Sequence, residues 1–133
     1  MNTVTRTLYL SGRALLGLYF IIPAIMKITS FGYHAEYMAA HGMILIPFFL
    51  SLTIAIQLGG GVCLIAGYRQ QLVSFVLAGL VLVISLVMHN FWVMEEGLSK
   101  AHESQNFVKN MAIMAGLLVL AGGARIPDRA DEP

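Results

Sequence analysis

Four long apolar stretches fill most of this chain of 133 residues, and they limit its fold more than any other feature. A helix needs about 20 mostly apolar residues to cross about 30 Å of hydrocarbon. Stretches near that length run over residues 8–28, 44–66, 72–89 and 107–124, the last two being the shortest. In lipid a segment must satisfy its own backbone hydrogen bonds, which a helix does unaided. The expected fold is all-α: a membrane-spanning four-helix bundle in a single domain over residues 1–127. Residues 128–133 are expected to form a short solvated tail.

Charge content narrows the function classes. Charged residues make up 11% of the chain and hydrophobic ones 58%, whereas a soluble domain carries roughly 25% charged residues. That is too little charge to cover a water-soluble enzyme. A net charge of +1 gives no basic field for nucleic acid. The single cysteine, Cys63, excludes a disulfide framework and dithiol chemistry within the chain.

The connections set the topology. Residues 29–43 and 90–106 form long loops, while residues 67–71 form a short one, so spans two and three make an antiparallel hairpin. The two long loops then share one side of the membrane, and both termini share the other. The terminal side carries Arg6, Arg13, Arg69, Arg125 and Arg129, against Lys27, Lys100 and Lys109 on the loop side. Positive charge favours the cytoplasm, so both termini are expected there. The first span carries Arg13 and no small-residue cleavage site follows it, so it is read as a membrane helix rather than a leader peptide.

Span two repeats small residues every fourth position: Ser51, Ala55, Gly59, Cys63 and Gly67. Such stripes let helix backbones approach closely in lipid, and Gly116 of span four belongs to a shorter version. Gln57 lies on a different face of the same helix, with Gly60 and Gly61. Pro23 lies inside span one, where it is expected to kink the helix.

Polar residues at membrane depth are the functional candidates, because each costs energy there. Arg13, Gly17, Phe20, Ala24 and Lys27 share one face of span one. Arg13 has three readings: it snorkels to cytoplasmic headgroups, pairs with Gln57 across the helices, or contacts a ligand. At the loop side the topology brings Lys27, His89, Asn90, Trp92, Lys109 and Asn110 to one depth. These residues read either as an interfacial belt or as a pocket for a quinone head group or a small anion. The histidines show no metal-ligand spacing, so no metal site is expected. No nucleophile–base or phosphate-binding motif is present, so no catalytic residue is assigned. Residues 29–43 are expected to hold a helix lying at the membrane surface, with Tyr33 and Tyr37 one turn apart.

Several fragments in order resemble the DoxX family of small bacterial membrane proteins. They are Arg13-Ala-Leu-Leu-Gly17 leading to Lys27, the Gln57-Leu-Gly-Gly-Gly61 run, Leu64-Ile-Ala-Gly-Tyr-Arg69, His89-Asn-Phe-Trp92, and Phe107-Val-Lys109-Asn110 leading to Gly116. The resemblance covers nearly the whole chain. It implies a four-helix bundle in the bacterial inner membrane and a redox neighbourhood, since some members are named as subunits of quinol-oxidising or thiosulfate:quinone systems. It also implies a glutamate where this chain has Gln57, which would turn an Arg–Glu pair into an Arg–Gln bond. The function expected on this basis is an accessory subunit of a respiratory or other redox complex, without independent catalysis. It would have no intrinsic cofactor, a quinone as candidate ligand, and lipid plus partner subunits or further copies around it. The alternative is a purely structural or assembly protein. A small transporter ranks third, because no Asp or Glu lies in any expected span.

Overall fold

A computed structural model describes residues 2–123, so the tail at 128–133, with Arg125 and Arg129, lies outside the described residues. The described chain holds five α-helices: α1 (Thr3–Thr29), α2 (Phe31–Ala40), α3 (Ile46–Ala66), α4 (Gln70–Met88) and α5 (Leu98–Gly122). A 3-10 turn, Phe91–Val93, follows α4. No strand occurs among the described residues.

Local chemistry sets the helix ends. The Asn2 side chain accepts a hydrogen bond from the Thr5 backbone N–H at 2.8 Å, capping α1. Pro23 sits inside α1 without ending it. Helix α3 closes on Gly67, whose φ of 76° lies in the left-handed region. There the Tyr68 N–H bonds the Cys63 carbonyl and the Gly67 N–H bonds that of Leu64, both orphan carbonyls of the last turn. Only Gly67, Tyr68 and Arg69 separate α3 from α4, which makes the two antiparallel neighbours. Gly67 therefore shapes a turn, and what it meets is the Arg13 side chain of α1, 3.0 Å from where a Cβ would stand, rather than a helix backbone.

The second long connection is shorter than its composition suggests. Residues 98–106 are polar and read as loop in the sequence, yet α5 already runs through them. The Lys100 ammonium meets Glu96 at 2.8 Å, and the Ser104 hydroxyl bonds the Lys100 carbonyl. The first connection, expected as a surface helix, is helical as α2.

Helix α1 packs along α3 and α4 along α5. The two pairs meet in one core formed by Phe20 of α1, Leu64 of α3, Leu77, Ala78 and Val81 of α4, and Leu117 of α5. Outside that core the helices are largely bare. Leu15, Ile22, Phe75, Val83 and Val119 are among the many large apolar side chains left exposed, a surface suited to lipid or protein and not to water. Three helical segments are long and apolar enough to cross a membrane: Thr3–Thr29, Ile46–Ala66 and Gln70–Val93. Helix α5 is not among them, since its first half carries Lys100, His102, Glu103 and Lys109 and only its second half is apolar.

The close approach of α1 and α3 runs through Gly17 and Gly61. A Cβ on Gly61 would stand 2.6 Å from the Gly17 carbonyl oxygen, and one on Gly17 would stand 2.7 Å from that of Gly61. The backbones thus touch where only hydrogen fits. The stripe expected to do this faces elsewhere. Ser51, Ala55 and Gly59 are exposed, and a Cβ on Gly59 or Gly116 would meet nothing within 4 Å. The inward face of α3 is instead Leu50, Gln57, Gly61 and Leu64.

Candidate functional site

Two polar assemblies sit at opposite ends of the helices. At the loop end the organiser is Glu103 on α5. One of its oxygens accepts from His89 Nδ1 at 2.5 Å, and the other accepts from the Tyr37 hydroxyl at 3.1 Å. Asn106 also donates to it. The carboxylate thereby ties α2, the end of α4 and α5 together. Burial pushes the Glu103 carboxyl up, but the hydrogen bond and charge of His89, with the bonds from Tyr37 and Asn106, outweigh it and hold the group below its ordinary value. Across the same contact, burial and then the Glu103 charge push the Tyr37 phenol up to about 12. His41 packs its ring 4.6 Å from that of Tyr37.

Beside this clasp, Phe91, Trp92 and Phe107 form an edge-to-face cluster with centroids 5.3 to 5.7 Å apart. Trp92 is half exposed. One turn deeper the Tyr19 hydroxyl of α1 donates to Asn110 Oδ1 of α5 at 2.9 Å, and Asn110 is buried. Tyr19→Phe is expected to lower stability by about 1 kcal/mol, because it leaves the buried Asn110 oxygen without its donor. Thermal unfolding in detergent measures this directly.

Of the six loop-end candidates, the fold ties His89, Trp92 and Asn110 into contacts, each with a partner that was not expected: Glu103, Phe107 and Tyr19. Asn90 contributes backbone to the 3-10 turn through its carbonyl. Lys27 is half-buried and Lys109 exposed, and neither forms a hydrogen bond or ion pair among the described residues. Glu103 could have been found from the sequence, whereas nothing in the residue order singles out Tyr19. Glu103, Phe107, Asn110, Met114 and Leu117 recur at helical spacing, which continues the inward face of α5 past the expected start of the span. No group of three or more metal-ligating side chains occurs among the described residues.

At the terminal end Arg13 does not pair with Gln57. Its Nη1 donates to Gln70 Oε1 at 3.0 Å and its Nη2 to the Ile65 carbonyl at 3.3 Å. Its guanidinium stands 5.6 Å over the Tyr9 ring, and Gln70 in turn donates to the Tyr9 hydroxyl. The reason is the crossing of α1 and α3 at Gly17 and Gly61. One turn before Gly17, Arg13 stands level with Ile65, while Gln57 lies about 12 Å farther along α3, at about 1.5 Å per residue. Gln57 is buried instead, and its Oε1 has no partner among the described residues.

Two shallow, open hollows mark the surface around α3 and α4. One, about 550 Å³, is lined by Gly67, Arg69, Gln70, Gln71 and Leu72 at the α3–α4 turn. The other, about 220 Å³, runs between α3 and α4 along Ile56, Gly60, Cys63, Leu72, Val73, Val76 and Leu77. Neither is lined by a loop-end candidate.

Comparison with known proteins places these features in a family. The DoxX family model matches residues 8–90, from α1 to the end of α4. The inner membrane protein YqjF of Escherichia coli (strain K12) is 32% identical over 113 residues, which cover 84% of this chain and 80% of that protein. No solved structure matches.

Proposed function

The chain belongs to the DoxX family, and from that premise we propose that it is a multi-pass protein of the bacterial inner membrane serving as an accessory subunit of a redox complex, without chemistry of its own. In this reading α1, α3, α4 and the apolar half of α5 cross the membrane as a four-helix bundle, with both termini in the cytoplasm. The likeness to YqjF, an inner membrane protein, supports the location. The five arginines that the sequence assigns to the terminal side, Arg6, Arg13, Arg69, Arg125 and Arg129, against Lys27, Lys100 and Lys109 on the loop side, support the orientation.

The observation that carries the subunit role is how the side chains are used. Five polar groups of the loop end, Tyr19, Tyr37, His89, Glu103 and Asn110, are spent on one another in the Glu103 clasp and the Tyr19–Asn110 bond. The long helices, meanwhile, leave an uncovered face of small residues at Ser51, Ala55 and Gly59. Such a face suits contact with a further helix in lipid. An intact-complex mass spectrum of the native protein in mild detergent tests the reading. A mass far above a small multiple of 14.5 kDa, with redox subunits present, is expected. An isolated chain or homo-oligomer would overturn it.

A second reading adds a quinone. Glu103 holds His89 Nδ1, leaving Nε2 as the remaining hydrogen-bonding atom of the ring, and the half-exposed Trp92 offers an aromatic face nearby in sequence. Those groups fit a quinone head group, which needs hydrogen-bond partners for its oxygens and a flat apolar neighbour for its ring. Ubiquinone is then expected to raise the melting temperature of the wild type and not of Trp92→Ala. Equal shifts, or none, would dismiss it.

A further inference from the structure

The two hollows adjoin at Leu72. Leu72 lines both the wide one at the α3–α4 turn and the narrow one between the helices. The first is polar and cationic at its rim, with Arg69, Gln70 and Gln71. Arg13 lies against it from α1: its Nη1 bonds Gln70, and a Cβ on Gly67 would come 3.0 Å from the same atom. The Arg13 guanidinium is underused, since two of its nitrogens donate within the protein while its buried Nε has no partner. No carboxylate faces the arginines among the described residues, because Glu36, Glu95, Glu96 and Glu103 all belong to the loop end. The second concavity is lined by apolar side chains, Cys63 and the bare backbone of Gly60. It exists because α3 packs on α1 and α4 on α5, leaving a furrow between the pairs.

We propose that these adjoining hollows hold one anionic phospholipid, its phosphate against Arg13 and Arg69 and one acyl chain in the furrow between α3 and α4. A cationic hollow at the helix ends, next to an apolar furrow running along α3 and α4, matches a molecule with a phosphate head and a hydrocarbon tail. A soluble anion would use only the first part, and a neutral lipid only the second. The proposal rests on the membrane-spanning reading above and is independent of the accessory-subunit role.

The test uses the full chain in mild detergent, exposed to phosphatidylglycerol and phosphatidylcholine with the same acyl chains, and counts retained lipid by native mass spectrometry. One phosphatidylglycerol per chain is expected, retained at least five-fold over phosphatidylcholine. Each arginine near an anionic lipid surface contributes roughly a five-fold preference. Arg69→Gln is therefore expected to weaken phosphatidylglycerol retention about five-fold, and Arg69→Lys to restore most of it. Val76→Trp, which fills the furrow, is expected to reduce retention of both lipids. Melting curves of each variant separate lost binding from lost fold. Equal retention of the two lipids, or an unchanged Arg69→Gln protein, would overturn the site. Membrane fractionation keeps the readings apart: a chain found in the membrane fraction but showing no lipid preference refutes only this proposal.

Discussion

Gly61→Val is expected to prevent α1 from docking on α3, and with it stable folding of the chain. The added carbons would have to occupy space 2.6 Å from the Gly17 carbonyl oxygen and 2.7 Å from Ile21 Cγ1. A backbone oxygen cannot swing aside as a side-chain tip can, so the helices must separate. Overpacking a fitted contact costs about 1–3 kcal/mol, and more where backbone must move. A total stability of about 5–15 kcal/mol leaves little reserve. The helix crossing also sets the level of Arg13 against Ile65 and Gln70, so the damage would spread to the α3–α4 turn. Gly59→Ala is the matched control, two residues away on the same helix. It meets open space, and alanine favours helix over glycine by up to about 1 kcal/mol, so its melting temperature is expected to match or exceed the wild type's. Thermal unfolding of both proteins in detergent, with size exclusion to detect aggregation, decides the matter. Wild-type melting of Gly61→Val would mean that this crossing does not exist.

Glu103→Gln is expected to release the loop end and to remove part of the acid sensitivity of the fold. The substitution keeps the shape but loses the charge that binds His89 and Tyr37, at a cost of about 1–3 kcal/mol for the network. The carboxyl is held below its ordinary value in the folded chain. Its stabilisation is therefore present above the unfolded carboxyl's value of about 4.5 and is lost as pH falls below that, through the folded value. The wild-type protein should weaken below pH 4.5 more steeply than Glu103→Gln, and the difference between the two curves isolates this group from the other carboxylates. Tyr37 has the opposite sign. Its phenol is raised from 10.0 to about 12, so it contributes fully below pH 10 and that contribution is lost as pH climbs towards 12. Tyr37→Phe should flatten that alkaline limb. Parallel acid limbs in wild type and Glu103→Gln would dissolve the clasp as an energetic unit.

These two sites divide what could be read in the residue order from what could not. Apolar runs of bilayer length and scarce charge determined by themselves that the chain is helical and belongs in a membrane, because a helix satisfies its own backbone hydrogen bonds in lipid and these continuous runs lack the alternation of closed-barrel strands. The DoxX motifs did the same for the family. The residue order also showed that Gln57 and Gly61 share a face of α3. It could not rank that face against the stripe of Ser51, Ala55 and Gly59, since both carry small residues and periodicity has no sign for inside. Only the docking of α1 decides it: Gly17 sits opposite Gly61, which buries one face and bares the other. The partner of Arg13 follows from the same crossing. A guanidinium reaches only what stands at its own level, and that level depends on where two helices touch. Glu103 escaped for a different reason. Its polar neighbours read as loop, and helix α5 continues through them because its start is held by contacts with His89 and Tyr37, fourteen and sixty-six residues away in the chain. Composition and period thus determined the class of fold and its solvent, while rotation, depth and pairing of the helices, and therefore every polar contact, were decided by packing.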